Sequence, residues 1–158
     1  MKSKNKLWID LVYRFAEQSE CKSRQVGAII VKDNRLVSEG WNSPPPKCSP
    51  DDCIRCKDRT KGGPSGMGLD NALCIHAEAN AIANAVNQGI SLADAEMWCT
   101  NKPCDICAGL ISRTGIKAVY FLNMYDGLYN EMIFKKAGVE LFLVPHTEIG
   151  RSNEEKER

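Results

Sequence analysis

Apolar residues Leu7, Ile9, Leu11, Val12, Phe15 and Ala16 recur at roughly helical spacing, so Leu7 to Glu20 predicts an amphipathic first helix. The period then shortens. Gln25–Lys32 and Arg35–Asn42 read as strands, and Asp33-Asn34 between them is a hairpin signal. From His76 onward, helix and strand patterns alternate. His76–Asn87 is an alanine-rich helix ending near Gly89, and Met97–Thr100 a short strand. Cys104–Thr114 is a helix that starts after Pro103 and stops at Gly115. Lys117–Leu122 is a strand, Gly127–Ala137 a helix closed by Gly138, and Val139–Val144 a last strand. These elements predict an α/β fold, a five-stranded mixed sheet flanked by helices. Helical crossovers join the last three strands, which should therefore run parallel.

Between the hairpin and the alanine-rich helix, residues 43–74 break the pattern. The run holds Pro44, Pro45, Pro46, Pro50 and Pro64, four glycines, and Cys48, Cys53, Cys56 and Cys74. It far exceeds the roughly 12–15 residues above which a structureless loop in a domain is suspect. A metal cross-link would explain its order. The whole chain has 158 residues, suited to one domain over 1–150 with a charged tail at 151–158. With 21 basic and 20 acidic residues, net charge is near zero, against a nucleic-acid coat or an acidic solvating chain.

Composition departs from the ordinary in its eight cysteines against two histidines. An even count raises a disulfide framework, which requires export. Asp10 and Arg14 interrupt any apolar signal segment, no cleavage site follows, and no run of 18 apolar residues exists. The expectation is a cytoplasmic protein without a membrane anchor, whose clustered thiols bind metal or do chemistry.

Three pieces carry that chemistry: His76-Ala77-Glu78, Pro103-Cys104, and Cys107. Cys104 and Cys107 lie three apart at a helix start, on one face of its first turn. Unpaired amides there and the positive helix end favour thiolate, the form that binds zinc. One imidazole and two thiolates leave a tetrahedral zinc one open position, the mark of a catalytic site. Glu78, two residues from the histidine, is a general base and acid candidate. Taken singly, Cys-x-x-Cys could be a redox pair and Cys107 a core residue. Jointly they resemble the His-x-Glu and Pro-Cys-x-x-Cys signature of zinc nucleobase deaminases.

On CKSRQVGAIIV (Cys21–Val31), EGWN (Glu39–Asn42), HAEANAI (His76–Ile82), PCDICAGLI (Pro103–Ile111) and GIKAVY (Gly115–Tyr120), the chain resembles the cytidine deaminase superfamily. Within it, the nearest likeness is to deoxycytidylate (dCMP) deaminases of bacterial and phage type. The resemblance implies a three-layer α/β/α sandwich and hydrolysis of dCMP to dUMP and ammonia, supplying precursor for dTMP. It makes His76, Cys104 and Cys107 the zinc ligands. Zinc-activated water attacks C4 while Glu78 shuttles protons.

The resemblance also puts Asn42 on the substrate sugar, Ala77 in the substrate site, Lys22, Ser23 and Arg24 at the 5′-phosphate, and Tyr120 or Tyr125 over the nucleotide. A turn asparagine, a solvated basic surface and core tyrosines are the plain alternatives. It matches Cys21, Cys48, Cys53 and Cys74 to a second, structural zinc, with Cys56 an alternative to Cys53. Cys99 reads as core, and His146 has no assigned role. Control by dCTP and dTTP with Mg2+, in a homo-oligomer and by preference a hexamer, is implied too, with Gly40, Trp41 and Asn80 on the effector side. Competing readings are a bifunctional dCMP/dCTP deaminase, a tRNA adenosine deaminase and a zinc-ribbon interaction module.

Overall fold

The computed structural model describes residues 4–60 and 72–145; the tail 151–158, His146 and residues 61–71 of the cysteine-rich run lie outside them. Its elements run α1 (Lys4–Ala16), β1 (Gly27–Lys32), β2 (Arg35–Trp41), α2 (Ile54–Thr60), α3 (Ala77–Asn87), β3 (Glu96–Asn101), α4 (Asp105–Ile111), β4 (Ala118–Asn123), α5 (Asn130–Ala137) and β5 (Glu140–Leu143). The sheet order is β2-β1-β3-β4-β5. β1 runs antiparallel to both its neighbours, and β3, β4 and β5 are parallel, as the helical crossovers require. Asp33 and Asn34 close the hairpin with φ of 49° and 62°, the left-handed pair that matches the twist of a two-residue turn.

Strand alternation divides the core into two layers. Ala28, Ile30, Met97, Cys99, Val119 and Phe121 face α3, α4 and α5, and Cys99 is fully buried among them. Ile29, Val31, Trp98 and Leu122 face α1, which offers Trp8, Ile9 and Val12. Leu7, counted with the apolar face from its spacing, is instead 55% exposed. The result is an α/β/α sandwich with one helix on one side and three on the other. Two glycines allow the close approach of helix to strand. A Cβ on Gly27 would meet Ala16 N at 2.7 Å, and one on Gly40 would run into Ala77 O and Ala81 N.

β2 is an edge strand, and α3 covers it. Asn84 Nδ2 donates to Glu39 O at 2.8 Å and Asn80 Nδ2 to Trp41 O at 2.8 Å, filling edge carbonyls that would otherwise invite another strand.

The run after β2 is less bare than its composition suggests. Ser49 caps a 3-10 turn at Pro50–Asp52, its hydroxyl accepting from Asp51 N while Asp52 accepts from Ser49 N, and α2 follows. The two ends of the run meet in a short antiparallel bridge, Ile75 N to Ser43 O at 2.8 Å and Ser43 N to Ile75 O at 3.2 Å. α5 also starts later than its sequence pattern indicates. Asp105 of α4 accepts from the amides of Leu128, Tyr129 and Asn130 at 3.1, 2.9 and 2.8 Å, so the helix start is capped from outside. Among the described residues, no helix is long and apolar enough to cross a membrane.

Candidate active site

Two helix starts converge on one point. His76 is the N-cap of α3 and Cys104 the N-cap of α4, both with extended backbone that turns the side chain out of the helix, and neither makes a capping hydrogen bond. Cys107, 2% exposed, sits one turn into α4. His76 Nδ1 lies 3.4 Å from Cys104 Sγ and 3.4 Å from Cys107 Sγ. Zinc bonds of about 2.0–2.1 Å to nitrogen and 2.3 Å to sulfur, at a tetrahedral angle, put N and S about 3.5 Å apart. The three atoms thus fit such an ion, and no other His, Cys, Asp or Glu joins the group among the described residues.

The electrostatics point the same way. The Cys104 thiol is drawn down to about 4, first by hydrogen bonding from Cys107 and then by His76, while Cys107 is pushed up by the same partnership and by burial. The pair releases one proton easily and resists losing the second, a conflict that a dication resolves.

Glu78, in the first turn of α3, is 4% exposed, and burial pushes its carboxyl up from the ordinary value. It opens with His76, Ala77 and Cys104 onto a cavity of about 450 Å³. That size lies in the range of small-molecule sites. Ser23, Arg24 and Asn42 line it from the strand side, Asn101 from the end of β3, and Lys102, Met124, Tyr125 and Asp126 from the loops after β3 and β4.

Not every expected residue arrives there in the expected way. Asn42 reaches the cavity while both ends of its amide are engaged: Nδ2 donates to Arg24 O at 2.7 Å and Oδ1 accepts from Val26 N at 2.8 Å. It therefore clamps the segment that carries Ser23 and Arg24. Lys22 turns onto Asp51 and is not among the residues lining the cavity. Tyr120 is not at the cavity either. Alternation along β4 sends it to the α1 side of the sheet, stacked between Trp98 (4.3 Å) and Phe142 (5.0 Å). Gly40, Trp41 and Asn80 are engaged with one another and with the fold. α3 packs on Gly40, Trp41 stacks on Phe15, and the Asn80 amide donates to Trp41 O and Ser43 Oγ.

Sequence reasoning missed Arg55 and Lys102 in the cavity wall. Lys102 is deeply buried and ion-paired with the exposed Glu131, whose carboxyl it lowers. Its position before Pro103 was the only available signal. Arg55 was hidden inside Cys53-x-x-Cys56, a spacing read solely for its thiols.

A second thiol group lies beside the cavity. The sulfurs of Cys21, Cys56 and Cys74 lie within 4.8 Å of one another, with Cys21 to Cys56 at 4.0 Å. Cys53 adjoins them, accepting from Cys56 N and Leu73 N at 3.4 Å each. Cys48 stays exposed and outside the group. Burial and neighbouring sulfurs push Cys56 up to about 11 and Cys74 up to about 12.

Residues 2–123 match the family model described as the cytidine and deoxycytidylate deaminase zinc-binding region. The deoxycytidylate deaminase of Enterobacteria phage T4 is 29% identical, with 92% of each chain covered. That of Schizosaccharomyces pombe is 32% identical over 80% of this chain, which spans only 39% of the yeast protein. The dCMP deaminase of cyanophage S-TIM5 superposes with a TM-score of 0.68 in its apo form, at 29% identity over 91% of this chain and all of that one. Its complex with dCMP and dUMP gives 0.68 as well, at 26% identity over 89% and 96%. With most of its length inside the family model, and the five-stranded sandwich of those relatives around its His-Cys-Cys group, the chain belongs to the cytidine and deoxycytidylate deaminase family.

Proposed function

We propose that the protein hydrolyses dCMP to dUMP and ammonia. The observation that carries this reading is the buried Glu78 carboxyl opening onto the cavity beside His76, Cys104 and Cys107. The names of the phage and yeast relatives, and a cyanophage enzyme solved with dCMP and dUMP, supply the substrate. His76, Cys104 and Cys107 would hold a zinc ion, which supplies Lewis-acid activation of water at neutral pH. Glu78 moves the protons: it takes one from the attacking water and gives it to N3 of the pyrimidine, then takes the second from the new hydroxyl on C4 and gives it to the amino group, which leaves as ammonia as the C4–N bond breaks and C4=O forms. A carboxyl raised by burial suits both halves of that task. Ala77, fully buried on the cavity wall, and Tyr125 bound the space in which the base sits.

The reading extends to a second, structural zinc on Cys21, Cys56 and Cys74 with Cys53 completing four thiolates, a closed site. None of the eight cysteines is in a disulfide, which fits a reducing, cytoplasmic setting. Assembly into a homo-oligomer is supported by an exposed apolar surface. Ile106 (82% exposed) and Leu110 stand one turn apart on α4, and the amide of Leu128 (78%) is bonded to Asp105 at the start of the same helix. Activation by dCTP and inhibition by dTTP with Mg2+ rest on family resemblance alone, and assays with those triphosphates test them.

The deciding experiment measures ammonia release from dCMP, dCTP, deoxycytidine and a tRNA anticodon stem. The reading requires dCMP to be the best substrate. Glu78→Gln should keep its zinc and lose turnover by roughly 10²–10⁴-fold or more. Full activity in that variant, or no turnover of dCMP by the wild type, overturns the assignment.

A further inference from the structure

The loop between β4 and α5 supplies Met124, Tyr125 and Asp126 to the cavity wall. Both of its ends are fastened to the stretch of chain that carries Cys104. At the near end, Lys102 N donates to Asn123 O at 2.9 Å and Asn123 Nδ2 donates to Thr100 O at 2.6 Å, so β4 leaves the sheet in register with the end of β3. At the far end the fastening falls largely on side chains. Asp105 accepts from the amides of Leu128, Tyr129 and Asn130, Asn130 Nδ2 donates to Pro103 O at 2.9 Å, and Glu131 pairs with Lys102. Lys102, Pro103 and Asp105 thus all hold the start of α5, while Cys104 among them turns to His76.

A helix start is ordinarily closed by the residue just before it, yet Tyr129, the N-cap of α5, makes no side-chain cap bond. The carboxylate that closes it belongs to α4 instead, next to Cys104 and two residues from Cys107. Its negative charge also meets the positive end of α5. The chain passes very close to reach it: a Cβ on Gly127 would lie 2.6 Å from Asp105 Oδ1 and 2.5 Å from Asn130 Nδ2. A cap from within the loop would let loop and helix drift together. A cap from α4 refers both of them to the helix start that holds two of the three candidate metal ligands. Asp105 itself is not among the residues lining the cavity, so whatever it does for the substrate it does through that loop.

We infer that Asp105 is a positioning residue for the reaction: it holds the wall made by Met124, Tyr125 and Asp126 at a set distance from Cys104, and thereby aligns the substrate. The inference rests on the dCMP reading above, which places the substrate in this cavity. It also gives Gly127 a role, since a side chain there would push the loop off the carboxylate.

The test compares Asp105→Ala and Asp105→Asn with the zinc-loaded wild type. In Asp105→Ala, kcat/KM for dCMP should fall roughly 10–100-fold while the zinc content stays that of the wild type, because a misplacement of about 1 Å costs on the order of 10²-fold. Amides of residues 124–130 should exchange with deuterium faster, and those of α3 at the wild-type rate. Oδ1 alone takes two of the three amides, so Asp105→Asn should recover part of both losses. A lower Tm with kcat and KM unchanged would make Asp105 a cap and nothing more, which overturns the inference. Unaltered exchange, or loss of zinc in Asp105→Ala, overturns it too. A wild type inactive on dCMP overturns the underlying function instead, so the two failures are distinct. If Asp105→Ala loses its fold by circular dichroism, Gly127→Ala disturbs the same contact and decides the same comparison.

Discussion

A methyl group added at position 40 would run into the carbonyl oxygen of Ala77 and the amide of Ala81, the backbone of the helix that carries His76 and Glu78. Nothing flexible stands there to give way. Gly40→Ala should lower Tm by roughly 3–10 °C, the size of effect that overpacking of about 1–3 kcal/mol has in a chain of this length. Turnover should fall as well, because even a small displacement of Glu78 spoils alignment with the substrate. Gly109→Ala is the control: its Cβ meets nothing within 4 Å on α4, and a gain of up to about 1 kcal/mol is expected. Thermal melts of the two variants settle the contrast, and equal Tm values would refute it. At this scale the sequence speaks clearly only where chemistry is rare. His76, Glu78, Cys104 and Cys107 announce themselves through residue type and spacing. Tyr120 and Lys22 do not, because strand parity and a partner 29 residues away decide where their side chains go.

The elements tell a similar story with a different cause. The hairpin, the alanine-rich helix and the three parallel strands were legible because each carries its own periodicity and its own punctuation. α2 was not, although Ser49-Pro50-Asp51-Asp52 is a helix-start sequence; the prolines and glycines around it drowned the signal. The start of α5 could not be read at all, because its cap, Asp105, belongs to another helix. The thiols set the sharpest test of this level. Cys56→Ser should leave one zinc per chain in place of two and loosen α2, whereas Cys48→Ser, altering an exposed residue outside the group, should leave both. Zinc counted per chain after gel filtration distinguishes them. Loss of metal in the Cys48 variant alone would reverse the ligand assignment.

At the level of the molecule, the sheet order brings the starts of α3 and α4 to one side of the sandwich, so a single cavity collects residues from six segments of chain. Among the described residues, the two most exposed large apolar side chains, Ile106 and Leu128, lie on α4 and just ahead of α5. Ile106→Glu should break the proposed assembly into chains of 17.5 kDa without unfolding them, as read by sedimentation. A wild type that already sediments at that mass removes the basis for an oligomer. The bridge between Ser43 and Ile75 has one more consequence. Because the two ends of the intervening run are tied together at its base, the sheet does not register how long that run is. Each doubling of its length costs only about 0.6 kcal/mol of closure entropy. The molecule thus holds one rewritable passage inside an otherwise fixed text, and that passage reaches the cavity at Arg55. A lineage, or an engineer, can lengthen, shorten or recode it to change what the cavity accepts while the machinery at its floor stays as it is.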